Sequence, residues 1–372
     1  MILDISDAQF KRIFANSKFN LPIRWDNKNF VNTLQVLFDN YISAIIKECE
    51  DYSFCQKNRE CVILEVKRIL FLIVQTIQEY LNGFPAKAYN IFSEVMHLLN
   101  KVPLQIYHKS VMEHFDSNYV DDPLALFRIV GVEDNVQYGR TSVFHTPYSL
   151  RSKVATNRYG IAGFPSLYLA TSLKLCAEEL RIAPEQHLYL TSRFQLARNF
   201  QENNIEIKVI ELGIKPQDFF VEGGERTNTM NAQGTRFIDT NLLRTSNIRS
   251  AYLLWYPLIA ACSFIRVNKK DPFSVEYVIP QLLMQWVRNE MAMPKFQYDK
   301  LIGIRYFSCA SEMASELGYN YVFPTSGKQT SNSFCKVLSK AFKLTKPHFL
   351  HEYANMDKCE AALRKDVDMQ YI

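Results

Sequence analysis

Ser166–Leu180 reads SLYLATSLKLCAEEL, a strand that passes without a linker into a helix. A period of two puts Leu167 and Leu169 on one side, and Ser166, Tyr168 and Ala170 on the other. Thr171 or Ser172 then supplies an N-cap, and a period of three to four takes over. On the helix expected over Ser172–Ala183, the positions Leu175, Cys176, Glu179, Ile182 and Ala183 share one stripe. Lys174, Glu178 and Arg181 share a second, fully charged stripe, with side chains close enough to pair. The two adjacent carboxylates therefore differ. Glu178 has a surface explanation, whereas Glu179 falls among apolar positions, where a carboxylate is costly unless it binds something or lines a cavity. Tyr168 stands between two small neighbours, which leaves room over its ring for a flat ligand.

Working upstream, NRYGIAGFP (residues 157–165) is a glycine-containing turn that carries Arg158 and Tyr159, and LFRIV (residues 126–130) is a short strand that carries Arg128. Guanidinium forks match phosphate oxygens bidentately, so two of them beside a turn with Gly160 and Gly163 suit a pyrophosphate. Arg140, Arg151 and Arg181 read as solvated or structural. His145, in FHTP, reads mainly as a hydrogen-bonded structural group, with polarisation of a ligand as its alternative. Further strands are expected at Ser142–His145, Ile205–Leu212, Ile302–Phe307 and Tyr321–Phe323, and a helix at Pro280–Glu290. Val221–Ser250, with three glycines among polar residues, reads as a long loop. Strands and helices mixed in this way predict an α+β fold.

Residues 1–118 read differently. Helical periodicity covers Asn29–Cys49, Cys61–Leu81 (stopped by Asn82-Gly83 and Pro85) and Ala86–Asn100, so an all-α N-terminal domain is expected, followed by a mixed domain at 119–335 and a charged, weakly helical tail at 336–372. His97, His108 and His114 share no ligand spacing. The eight cysteines include no CxxC pair, which argues against a zinc site and for reduced thiols in a cytoplasmic protein. The opening MILDISDAQFKR lacks the order of a signal peptide, and the longest apolar run, Ile69–Val74, is too short to span a bilayer. With 48% hydrophobic residues, 22% charged residues and a net charge of +5 but no Lys/Arg run, the composition is that of a globular protein with no nucleic-acid or membrane partner expected.

The order of these elements resembles the RES domain family, named for its Arg, Glu and Ser positions. LFRIV is similar to the family's opening arginine strand. FHTPYSLRSKVATNRYGIAGFPSLYLATSLKLCAEEL (residues 144–180) is similar to its most recognisable block, and LLWYPLIAACSFI, EYVIPQLLMQW and GIRYFS to its later segments. The last of these places the family's serine at Ser308, with Ser263 and Ser311 as alternatives. Gly160 and Ala177 depart from the pattern, standing where a serine and a bulky aromatic are expected.

The resemblance implies an ADP-ribosyltransferase-like split-sheet fold that cleaves NAD+ at the nicotinamide–ribose bond, as an NAD+ phosphorylase or glycohydrolase in a growth-arresting toxin or defence effector. NAD+ is then a substrate rather than a cofactor, inorganic phosphate or water is the acceptor, and no metal is implied. Glu179 would hold the ribose hydroxyls beside the developing cation. Tyr168, next to Tyr159 and His145, would cover nicotinamide, Arg128 and Arg158 would grip phosphate, and Ser308 would bond the ribose or the acceptor. The partner implied is a neutralising antitoxin or regulatory protein, and a homo-oligomer stays open. Three alternatives remain: transfer of ADP-ribose to a macromolecule, an inactive binding module, and a thiol hydrolase built on Cys176 and His145.

Overall fold

Apolar residues at helical spacing fold, in the computed structural model, into α1 (Asp7–Phe14), α2 (Phe30–Glu50), α3 (Gln56–Leu81) and α4 (Pro85–Leu99). The structure describes residues 5–50, 56–102, 104–107, 125–133, 137–182, 188–196, 206–220, 228–231, 234–237, 246–268, 270–292, 299–326 and 334–372. Ser6 starts α1 with a reciprocal capping box, its hydroxyl accepting from the Gln9 N–H at 3.2 Å. Two compact units arise, and neither is one continuous stretch of chain. The helical unit comprises Met1–Leu104, Ile214–Thr227 and Asp239–Trp286. Its centre is α6 (Ser246–Ala261), which carries the first part of the LLWYPLIAACSFI segment and is buried from Arg249 onward, as a helix apolar on all sides must be. Phe10, Phe14, Phe19, Tyr41, Tyr252 and Tyr256 pack edge to face around it. Two of the buried tyrosines satisfy their hydroxyls on backbone carbonyls: Tyr41 on Leu253 at 2.8 Å and Tyr256 on Phe19 at 3.1 Å.

The second unit comprises Gln105–Gly213, Asn228–Ile238 and Val287–Ile372. It holds a nine-stranded sheet in the order β1-β5-β8-β9-β3-β2-β4-β10, with β11 also paired to β4. The strands are β1 (Gln105–Tyr107), β2 (Leu126–Val132), β3 (Ser166–Ala170), β4 (Leu188–Leu196), β5 (Glu206–Leu212), β8 (Asp299–Phe307), β9 (Tyr319–Pro324), β10 (Phe342–Leu344) and β11 (His348–Phe349). β5 and β8 are parallel and the remaining pairs are antiparallel. With helices and a mixed sheet in one chain, the fold is α+β. One face of the sheet buries Phe127, Ile129 and Ala170 with residues of α5 (Leu173–Leu180) and α9 (Met356–Lys365). The other buries Leu126, Leu167, Leu169, Tyr321 and Phe323. The sheet is nearly parted at one place. β2 and β3 share a single register pair, Phe127 with Ala170, while β2–β4 share seven and β3–β9 five. A seam is left where their ladder ends.

Several expectations are corrected. Ser142–His145 is not a strand: Ser142 and Val143 belong to a 3-10 turn, Arg140–Val143. The Ser142 hydroxyl accepts from the Gly139 N–H, a local bond that competes with a ladder, and Pro147 follows. The helix expected to reach Ala183 ends at Leu180, with Arg181 in the left-handed conformation (φ 51°) and Pro184 beyond; Ala183 itself lies outside the described residues. Lys174 pairs with Asp357 at 2.9 Å rather than within its own stripe. The front end is not wholly helical, because Gln105–Tyr107 is β1, a three-residue strand too short to show a period. The expected boundary at 118/119 lies outside the described residues, as do His108 and His114. The long loop at 221–250 contains the hairpin β6 (Asn228–Asn231) and β7 (Gly234–Phe237), and α6 has begun by Ser246. The tail is integrated into the fold: α8 (Lys336–Ala341), β10 and β11 extend it along β4, and the Glu360 carboxylate of α9 accepts from the Leu173 N–H at 2.9 Å, at the start of α5.

Candidate active site

The strand-to-helix segment folds as its pattern demands. Ser172 caps α5, its hydroxyl accepting from the Leu175 N–H at 3.2 Å and donating to the Leu317 carbonyl at 3.0 Å. Leu175 and Cys176 face the core, and the row they begin emerges into solvent at Glu179 because the helix stops one residue later. Glu179 is thus exposed rather than enclosed, and it is held. Asn320 Nδ2, on β9 and 4% exposed, donates to Glu179 Oε1 at 2.5 Å from 141 residues away.

Asn320 lies opposite Ala170 of β3 and Tyr306 of β8, so the three side chains share one face of the sheet. Tyr306 is the hub of this face. Burial pushes its hydroxyl well above the usual tyrosine range, Glu179 and Tyr168 push it further, and Arg158 opposes them. Glu179, Tyr168 and Arg158 thus all act electrostatically on Tyr306. Tyr159 is not at the surface of this group. It is 1% exposed, with its ring centroid 4.6 Å from that of Tyr306, a packing position. Gly160 has a steric reason: a Cβ there would come within 3.0 Å of the Tyr168 hydroxyl.

Arg128 fills the seam. Its Nη1 donates to the Tyr168 carbonyl at 2.9 Å, where the β2–β3 ladder has ended, and its buried Nε has no hydrogen-bond partner among the described residues. Burial lowers its pKa, partly offset by Cys176 and Tyr168. A second arginine, Arg288 of α7 (Val278–Ala292), donates from Nε to the Thr325 carbonyl at 3.0 Å and lies 5.1 Å above the Phe164 ring. Burial lowers its pKa too, against Tyr148, Tyr168 and Cys335.

The remaining candidates are structural in their contacts. His145 is fully buried and uses both ring nitrogens: Nε2 accepts from the Cys335 N–H at 2.9 Å, so Nδ1 carries the proton toward the Thr146 carbonyl at 2.8 Å. Burial brings its pKa down to about 4, with Arg128 adding to the effect and the Thr146 bond opposing it. Ser308 is fully buried just beyond β8, its hydroxyl accepting from the Ala310 N–H at 3.1 Å. Ser311 accepts from the Ala314 N–H at 3.0 Å, and Ser263 lies in the helical unit, bonded to the Ile259 carbonyl. Cys176 donates to the Phe127 carbonyl at 3.3 Å, and burial pushes its thiol up to about 12, which leaves no thiolate for nucleophilic chemistry. Arg140 is spent on the Leu344 and Asp368 carbonyls and the Asp368 carboxylate.

Sequence reasoning missed Asn320 and Arg288. Both had a signal. Asn320 is an amide inside GYNYVFP, where a strand of aromatic and β-branched residues makes a polar side chain costly. Arg288 falls on the apolar row of Met284 and Met291.

Over 340 residues the chain is 27% identical to a Bacillus subtilis (strain 168) protein named "Putative toxin YopC", a match that covers 90% of this chain and 69% of that protein. No protein-family model matches the chain. No solved structure matches it either. Among the described residues no helix is long and apolar enough to cross a membrane.

Proposed function

We propose that the protein cleaves NAD+ at its nicotinamide–ribose bond and acts as a growth-arresting toxin. The observation that carries this reading is the grouping of Glu179, Tyr168 and Arg158 around Tyr306, beside a sheet seam filled by Arg128. The resemblance of residues 126–180 to RES enzymes and the name of the Bacillus relative, a putative toxin, support it.

Breaking the bond from C1″ to the nicotinamide nitrogen leaves the electron pair on the base, which departs neutral, and develops positive charge on the ribose. Glu179 supplies negative charge there. Asn320 ties one carboxylate oxygen, which fixes the group and leaves the other to a ribose hydroxyl. Tyr168 covers the departing ring, and Arg158 stands on the same side. The oxocarbenium-like centre is captured by water or by inorganic phosphate, giving ADP-ribose or its 1″-phosphate. Ser308 and His145, whose polar atoms already have partners inside the fold, act by holding the site's walls.

Purified protein incubated with NAD+, with and without phosphate, is expected to release nicotinamide. Expression of the chain alone in bacteria should stop growth and drain NAD+, and the Glu179→Gln variant should do neither. Folded protein that releases no nicotinamide under either condition would leave a binding module as the reading.

A further inference from the structure

α5 is eight residues long, too short to hold its shape by backbone bonds alone, so its placement depends on what grips it. Near its C-terminal end Glu179 is gripped by Asn320. Its first turn is gripped by α9. Ser172 covers the Leu175 N–H, and the Glu360 carboxylate accepts from the Leu173 N–H at 2.9 Å, across 187 residues of sequence. An anion there also faces the positive end of the helix dipole. Glu360 is itself fixed. Its other oxygen accepts from Arg364, one turn along α9, with Nε at 3.2 Å and Nη2 at 2.9 Å. The Arg364 carbonyl accepts in turn from Nη1 of Arg193 on β4 at 3.0 Å, and the Arg364 guanidinium lies 5.1 Å over the Phe127 ring. Phe127 is the residue through which β2 meets β3, in register with Ala170 on one side and with Arg193 on the other. Cys359 and Leu363 of α9 are buried against Leu173, Leu175 and Cys176. Carboxylate, guanidinium and sheet thus form one bracket around the start of α5. The neighbouring Lys174–Asp357 pair, with Asp357 70% exposed, is screened by water and adds little.

We propose that Glu360 is a positioning residue for Glu179: by fixing the first turn of α5 to α9 and the sheet, it sets where the carboxylate six residues further on comes to rest. Six residues of helix span about 9 Å, and over so short a rod a shift at one end is carried to the other. Asn320 fixes one oxygen of Glu179, whereas the bracket fixes the backbone from which that side chain starts. The placement does not depend on what the substrate is; its consequence for turnover rests on the NAD+ reading. Under that reading Glu179 acts on charge that develops only in the transition state, and a carboxylate misplaced by about 1 Å costs up to about 10²-fold in rate. The loss falls on kcat rather than on KM.

The test compares Glu360→Ala, Glu360→Gln and Asp357→Asn in the full chain, by amide hydrogen exchange over Leu173–Leu180 and by nicotinamide release. Glu360→Ala should speed exchange throughout that segment, Glu179 included, by about tenfold or more, while β4 stays as protected as in wild type. It should also lower kcat by about tenfold or more, with KM changed by less than about twofold. Glu360→Gln keeps an oxygen for the Leu173 N–H and should fall between Glu360→Ala and wild type in both measurements. Asp357→Asn, which removes only the exposed pair with Lys174, should match wild type. A residue that merely stabilised the fold would instead speed exchange across the whole sheet and leave the kcat of the folded protein unchanged. Should Glu360→Ala fail to fold, Glu360→Gln decides: a smaller change in the same direction, in α5 exchange and in kcat, supports the proposal. Exchange in α5 like that of wild type, faster exchange that stops short of Glu179, or faster exchange with unchanged kcat overturns it. If the wild type releases no nicotinamide, the NAD+ reading falls, and exchange at Glu179 alone decides whether Glu360 positions it.

Discussion

Arg305 and Arg128 belong to the same sheet, and each carries a guanidinium out of water, but their surroundings differ. Arg305 of β8 meets Glu211 of β5: its Nε donates to the carboxylate at 2.6 Å, a second nitrogen pairs with the same group, and its guanidinium lies 4.1 Å from the Tyr319 ring centroid. Burial works against this charge, but Glu211, with Tyr321 and Tyr319, more than restores it, and Arg305 is held more firmly protonated than in water. Arg128 and Arg288 have backbone carbonyls and neutral rings, and burial prevails. A pair that satisfies itself holds the fold together. Arg128 and Arg288, beside Tyr168, have carbonyls but no carboxylate as partners among the described residues, and the nearby Glu179 of α5 is held by Asn320 instead.

The sharpest way to break this contrast is Glu211→Gln, which strips the paired region of its anion and leaves Arg305 buried alone. It should cost about 3–5 kcal/mol of stability in urea unfolding. A loss below 1 kcal/mol would mean that the pair is not structural.

His145 provides a second test, since it is buried and uncharged next to the unpaired arginine. In the unfolded chain a histidine takes up its proton near 6.5, and in the folded chain only near 4. Between those values the unfolded state binds more protons, so stability is full above about pH 6.5 and falls as pH drops toward 4. The loss approaches roughly 3 kcal/mol. Urea midpoints of wild type and His145→Gln, compared from pH 7 to 4.5, should converge as pH falls; a constant difference between them would sink the assignment.

On the functional side, Glu179→Gln should lower nicotinamide release by about 10²-fold or more, equivalent to some 2.7 kcal/mol, while Glu178→Gln leaves it largely intact. Equal losses in two folded variants would remove the distinction drawn from Asn320. Smallest of all should be Arg128→Lys and Arg158→Lys, each about tenfold in turnover, because a point charge does not replace a fork. Wild-type kinetics in both would make these arginines structural.

Part of this was legible from local pattern. The period-two run Ser166–Ala170, the Ser172 cap and the helix that follows depend on neighbours within four residues, and they fold as read. The separate fates of Glu178 and Glu179 were legible only in part. The row was right, but the helix ends too early to enclose Glu179, because Arg181 turns left-handed before the expected last turn.

Which long-range partners meet is a different kind of fact. The register of β5 on β8 slips once, between Lys208 and Val209, where Ile302 is passed over. Without that extra residue Glu211 would lie opposite Ile304 instead of Arg305, and a one-residue slip turns a strand's whole set of side chains to the other face. No periodicity in either segment announces it. The same holds for Asn320 reaching Glu179 and for Arg288 reaching Thr325 just beyond β9, contacts made across 141 and 37 residues of sequence. Sequence alone determined the long N-terminal helices and the strand-to-helix segment Ser166–Leu180, since those follow from backbone sterics and the spacing of apolar residues. Tertiary structure alone decided which charges are neutralised, as Arg305 is by Glu211, because that depends on strand order and register.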